Sequence, residues 1–149
     1  NQSSLITLAL DRIAEIDMMA KNGFQPYEGV DFERYFADTI GVTKSAKDRG
    51  QKVILLINAA NAPYVETKPL HSSQQILKKH EDGSITIRID VTLNLELERE
   101  ILGFGECIKV LTPKSLEKRI LYRHYKALNQ YAKAQIIRED KEQQKQVDK

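Results

Sequence analysis

The sequence predicts an α+β sandwich of the βαββαβ type, and three observations carry that prediction. Ile85, Ile87, Ile89, Val91 and Leu93 alternate with Thr86, Arg88, Asp90 and Thr92, the two-residue period of a strand with one buried face. Residues 52–57, Lys-Val-Ile-Leu-Leu-Ile, form a near-continuous apolar run of strand length, which suits a central strand covered on both sides. Between them Glu81-Asp82-Gly83 supplies residues that tolerate the positive φ of a hairpin turn. A partner strand is therefore expected at residues 75–79. Strand, short helix, hairpin, helix and strand in that order spell the ferredoxin-like arrangement. Residues 52–57 and 85–93 would be its two parallel central strands, with two helices over one face of the sheet.

Each further element has its own reason. Residues 5–13 read as a strand with Ile6, Leu8 and Leu10 facing one way, although a lone strand needs neighbours for its backbone groups. Residues 17–29 hold two glycines and a proline and read as a connecting loop, in which Phe24 and Tyr27 need an apolar shelf. Asp31 can cap a short helix over residues 31–38, with Phe32, Tyr35 and Phe36 on one face and Gly41 ending it. Residues 43–50, with Lys44, Lys47 and Arg49, read as a solvated hinge. Residues 59–66 are a helix candidate if Pro63 sits near its start.

Asn94 can cap the second core helix, whose first turn carries Glu96 and Glu98 near the positive end of the helix dipole. Gly103 fits a left-handed C-terminal cap. A strand is expected at residues 107–111, and Pro113 fits the first position of a long last helix. Leu116, Ile120, Leu121, Tyr125, Leu128 and Tyr131 recur there at three- and four-residue spacings. The front of that helix is basic. Beyond Ile137 the chain is polar all round and mixed in charge, which predicts fraying or disorder.

The bulk numbers narrow the function classes. A chain of 149 residues that is 41% hydrophobic can bury one good core, with room for a smaller appendage. A net charge of +2 is too balanced to argue nucleic-acid or membrane binding from overall electrostatics. The single cysteine, Cys107, excludes an internal disulfide framework and fits a reducing compartment. Its place in an expected strand makes it a small core hydrophobe. No apolar run reaches the roughly 20 residues of a membrane span, and no signal-peptide pattern opens the chain. A cytoplasmic location is expected.

No nucleophile with a base, no metal-ligand spacing and no phosphate loop appears. His71, His80 and His124 have no partner at ligand spacing. Gly103-Phe104-Gly105 lacks a third glycine and follows a helix where a nucleotide loop would open one. Neither an enzyme nor a cofactor is expected. His71 and Gln74 are candidates for effector or partner contact, set against the plainer reading that they lock the loop into the second strand. Arg88 lies on the polar face of the strongest strand, which is either solvated or offered to a partner. Lys118, Arg119 and Arg123 could touch phosphates or a partner, but no aromatic residues interleave for base stacking.

Several short motifs in order carry a resemblance. Leu10-Asp11-Arg12-Ile13 resembles the closing strand of a WYL domain, the small β-barrel of bacterial transcriptional regulators. Residues 32–42, ending Asp38-Thr39-Ile40-Gly41-Val42, resemble the linker after that barrel. His71-Ser72-Ser73-Gln74, the Asp82-Gly83 turn, Asn94-Leu95-Glu96-Leu97, residues 101–105 and Val110-Leu111-Thr112-Pro113 resemble the C-terminal extension of the same regulators, called WCX. The match covers roughly residues 5–125. The Trp-Tyr-Leu triplet that names the barrel is absent, and Ser72 stands where the family often has proline.

The resemblance implies a C-terminal fragment of such a regulator. Residues 1–16 would be the last barrel strand, 17–50 a linker with a short helix, 51–113 the WCX core, 114–137 the last helix and 138–149 a disordered tail. The implied role is regulatory and oligomeric: a homodimer that couples effector sensing to DNA binding. DNA would be held by a winged-helix domain, and a nucleic-acid or small-molecule effector by a barrel, both outside this chain. Arg12 could belong to that effector site. The competing reading is a free-standing small-molecule-binding domain of the ferredoxin-like class, which needs a concave pocket with convergent polar groups.

Overall fold

The computed structural model describes residues 10–17, 29, 31–45 and 47–147, with side chains through residue 132. Eight regular elements follow one another: α1 (Phe32–Phe36), β1 (Gln51–Ile57), α2 (Ala62–Thr67), β2 (Gln75–Lys79), β3 (Ile85–Val91), α3 (Leu95–Gly103), β4 (Ile108–Thr112) and α4 (Lys114–Val147). The four strands form one sheet in the order β2-β3-β1-β4. This is an α+β, ferredoxin-like sandwich.

Every neighbouring pair of strands is antiparallel, so β1 and β3 are not the parallel pair the sequence suggested. The reason is topological. The crossover through α2 leaves β1 and β2 running in the same direction, and the tight turn reverses β3 against β2. Inserted between them, β3 must oppose both. The turn itself forms as expected: the His80 amide donates to the Ser84 carbonyl (2.8 Å), the Gly83 amide to the His80 carbonyl (3.1 Å), and Asp82 accepts from the Ser84 amide (2.9 Å).

Side-chain alternation decides which face is buried. Val53, Leu55 and Ile57 of β1 share one face with Ile85, Ile87, Ile89 and Val91 of β3 and with Ile108 and Val110 of β4. Ala62 and Val65 from α2, Leu97 and Ile101 from α3, and Leu116 and Ile120 from α4 close over them. Each fully buried leucine or isoleucine contributes about 1.5–3 kcal/mol relative to exposure. On the opposite face Ile54, Leu56, Thr86, Arg88 and Asp90 stay half-buried. The edge strand β2 is exposed along its length and carries Lys78 and Lys79, charges that discourage edge-to-edge pairing.

Five local expectations give way. Leu10–Arg12 is a single 3-10 turn with no buried residue, where a strand was expected. Among the described residues no strand pairs with it, and an unpaired strand leaves its backbone groups unsatisfied. The rest of that expected strand and most of the 17–29 loop, including Phe24 and Tyr27, lie outside the described residues. Gly103 stays inside α3, whose end tightens into a 3-10 turn at Gly105–Cys107. The left-handed glycine is therefore Gly105, at φ 57°. That turn also takes Cys107 out of β4 and leaves it half-buried.

The other two concern the last helix. Pro113 sits one residue before α4 and accepts from the Leu116 and Glu117 amides, both at 3.1 Å. The polar stretch after Ile137 continues as helix to Val147. Gln, Lys and Glu dominate there without glycine or proline, and such residues favour helix by intrinsic propensity.

Candidate functional site

The first turn of α3 is where separate parts of the chain meet. Asn94 caps it, accepting from the Leu97 amide at 2.9 Å. The same side chain turns its amide group outward and donates to the Ile40 carbonyl (2.8 Å) and the Thr43 carbonyl (3.0 Å). Two positions on, Glu96 accepts from the Thr43 hydroxyl. The linker can lie this close because residue 41 is glycine. Its φ is +74°, and an added Cβ would stand 2.6 Å from the Glu96 Cγ, closer than any packing allows.

Asp38 closes the linker on itself. Its carbonyl accepts from the Thr92 amide (2.7 Å) just ahead of α3. Its carboxylate accepts from the Gly50 amide (2.9 Å), from the Thr39 hydroxyl (3.2 Å) and from the Lys44 ammonium. Lys44 also donates to the Tyr35 carbonyl at 2.6 Å and lies over the Tyr35 ring, which ties α1 into the same knot. The expected hinge at residues 43–50 is thus pinned at both ends, though most of its side chains remain exposed. Burial raises the Asp38 carboxyl, but the Lys44 hydrogen bond and charge and the Gly50 amide outweigh it, and the group titrates below its ordinary value. Glu96 behaves alike: burial raises it, and the Thr43 hydroxyl with the amides of Glu96, Thr43 and Val42 brings it below.

The same turn of α3 holds the last helix. Glu98 is buried, with a side chain only 7% exposed, and each carboxylate oxygen takes one arginine from α4. Arg119 brings its Nε to 3.1 Å in an ion pair, and Arg123 donates its Nε at 2.6 Å. Those two arginines were sequence candidates for phosphate or partner contact; the structure gives them to Glu98. Lys118 is exposed and, about 100° round the helix from Arg119, does not join them.

The remaining candidates are dispersed. His71 Nδ1 meets the Ser73 hydroxyl (2.8 Å) and amide (3.2 Å), and that hydroxyl accepts from the Asp90 amide (2.9 Å). Gln74 accepts from the Leu70 amide (3.0 Å) and donates to the Val65 carbonyl (2.9 Å). Both therefore lock the α2–β2 loop. Arg88, on the uncovered sheet face, forks onto one Asp90 oxygen at 3.0 and 2.9 Å. Arg12 stands exposed in the N-terminal 3-10 turn, apart from the rest. Among the described residues no group of three or more His, Cys, Asp or Glu could hold a metal, and no helix is long and apolar enough to cross a membrane.

Sequence reasoning found Asn94 as a cap and Glu96 and Glu98 as dipole charges, but not their partners. Those partners lie 21 to 54 residues away in the chain, and no local pattern encodes such pairings. Asp38 entered only as part of the linker motif and Lys44 only as a charge of the expected hinge, neither with a partner.

Against known families, the model described as WCX domain matches residues 49–128. The match spans the whole sheet, α2, α3 and the root of α4. No curated protein matches the chain.

Proposed function

The chain belongs to the WCX domain family, and from that premise we propose that it is the regulatory and oligomerisation module at the C-terminal end of a bacterial WYL-type transcriptional regulator. It works in the cytoplasm as a homodimer and catalyses nothing. DNA is held by a winged-helix domain and the effector by a WYL barrel, both outside this chain. The module couples the two by fixing how the linker and the last helix sit on one scaffold.

One observation carries this reading: the first turn of α3 and its cap hold the linker through Asn94 and Glu96 and hold α4 through Glu98. A displacement arriving along the linker reaches α4 through that single short helix. An effector acts on such a device only by binding its two arrangements with different affinities. Charged and hydrogen-bonded contacts suit the task, since they have discrete made and broken states.

The test is a promoter reporter driven by the full-length regulator carrying Glu98→Gln. The neutral side chain keeps the shape and loses the two ion pairs. The expected result is a reporter that no longer responds to inducing conditions, while the regulator still occupies its operator. A response equal to that of the unmodified regulator would reject the coupling role.

A further inference from the structure

β4 ends the sheet on one side, and its outer edge carries unpaired backbone. β1 and β4 run antiparallel, with Ile57 opposite Ile108 and Leu56 opposite Lys109. Just beyond, the Asn58 amide donates to the Cys107 carbonyl at 3.0 Å. Hydrogen-bonded pairs alternate along an antiparallel ladder, so Cys107 and Lys109 turn their amides and carbonyls towards β1. Ile108 and Val110 turn theirs away. Among the described residues nothing pairs with those four groups, although the two residues are only 5% and 3% exposed. Backbone groups so placed are nearly always paired. Beside them lies a largely apolar groove of about 490 Å³, walled by Ile108 and Val110 and, from α4, by Ile120 and Leu121. Leu116 and Ile120 are buried while Leu121, Tyr125 and Leu128 are exposed. The stripe read from the sequence thus divides into a buried face and a bare one, and the groove opens where they part.

We propose that β4 takes up an extended segment of a partner protein as a further antiparallel strand, with apolar side chains at two alternate positions and an acidic one between them. The chemistry of the edge commits it to this occupant. Two alternate residues of the incoming strand exchange both hydrogen bonds, one with Ile108 and one with Val110, and so satisfy all four groups. Their side chains share the face of Ile108 and Val110 and enter the groove. The residue between them stands opposite Lys109 on the open face of the sheet. Lys109 is exposed and has no ion partner among the described residues, and a carboxylate directly across from it complements the charge. Glu117, on the helix side of the groove, is already taken by Lys114 at 2.6 Å. A second copy of β4 fits worse. The two-fold register that pairs all four groups sets one Lys109 directly against the other, a repulsive contact. The inference goes beyond the coupling role and does not depend on the oligomeric state.

The test uses the full 149-residue chain and the acetylated, amidated peptide Thr-Val-Glu-Val-Thr, read by amide exchange and by titration of the labelled peptide. In the free chain the Ile108 and Val110 amides should exchange faster than that of Lys109. Millimolar peptide should slow both at least about tenfold. N-methylation of either valine, whose amide faces β4, should weaken binding about fivefold or more. N-methylation of the glutamate, whose amide faces away, should leave binding unchanged. Lys109→Glu should reverse the preference between this peptide and Thr-Val-Lys-Val-Thr, shifting the ratio of the two affinities about tenfold; because it gains affinity for one peptide, a folding defect does not mimic the result. Exchange at Ile108 and Val110 that millimolar peptide leaves unchanged would overturn the proposal, as would equal losses on methylating valine and glutamate. Slow exchange there in the free chain would overturn it too, and a dependence of that exchange on chain concentration would assign the edge to a second copy instead.

Discussion

Replacing Asn94 separates the two jobs of one side chain. Asn94→Ala removes the helix cap, worth about 1 kcal/mol, and both amide donations to the linker, each worth about 1 kcal/mol. The side chain is buried, so water does not restore the lost partners, and the total cost is about 3 kcal/mol. Asn94→Asp keeps an oxygen for the Leu97 amide and adds a negative charge where the helix dipole favours it. It still turns a carboxylate oxygen towards the carbonyls of Ile40 and Thr43, so it forfeits both donations and costs about 2 kcal/mol. With a urea slope of about 2 kcal/mol/M, the midpoints fall by about 1.5 M for Ala and 1 M for Asp. Amide exchange should report loss of protection at Thr39 and Thr92 in both variants, and at Leu97 in the alanine variant alone. If Asn94→Asp matches the parent chain in midpoint and exchange, the linker is not held through this amide and the reasoning fails.

Other consequences follow from the same contacts. Gly41→Ala should destabilise by about 1–3 kcal/mol in urea melts, combining a left-handed backbone penalty with the collision on Glu96; a neutral result would mean the linker lifts away freely. Asp38 and Glu96 titrate lower in the folded chain than their ordinary 3.8 and 4.5, so the unfolded chain binds more protons and their contribution is present above those values. It is lost as pH falls through the folded values, and an Asp38→Asn variant should show a shallower loss of midpoint between neutral and acid pH. Glu98→Ala should cost about 1–2 kcal/mol, below the usual figure for a broken buried pair because Arg119 and Arg123 are 44% and 45% exposed and regain water; it should raise amide exchange along the root of α4.

What the sequence made legible was what repeats locally. Ile85 to Val91 alternates because a strand faces two ways, and that alternation located β3, its buried face and its place in the sheet centre. Asp82-Gly83 placed the hairpin, and with it β2, because few residues accept that turn. Asn94 announced a helix start for the same reason. The parallel assignment of β1 and β3 failed because direction follows from the connections, not from the composition of either strand. Gly103 was misjudged for Gly105 because two glycines two residues apart offer the same chemistry, and only the tightening of the last turn chooses between them. The α4 stripe misled because three- and four-residue spacing permits one broad face, while the short β4 reaches only as far as the root of the helix. The linker knot was hidden for a different reason. Asp38, Lys44, Glu96 and Glu98 are ordinary surface residues by type, and only the fold makes them neighbours.

The coupling through α3 is tested most directly by a double-mutant cycle between Thr43→Val and Arg123→Gln, read as unfolding free energy. These residues share no contact; one binds Glu96 and the other Glu98, both in the first turn of α3. If that helix transmits between them, the two losses will be non-additive by about 0.5 kcal/mol or more. Losses that add to within about 0.3 kcal/mol would mean the linker and α4 rest on α3 independently.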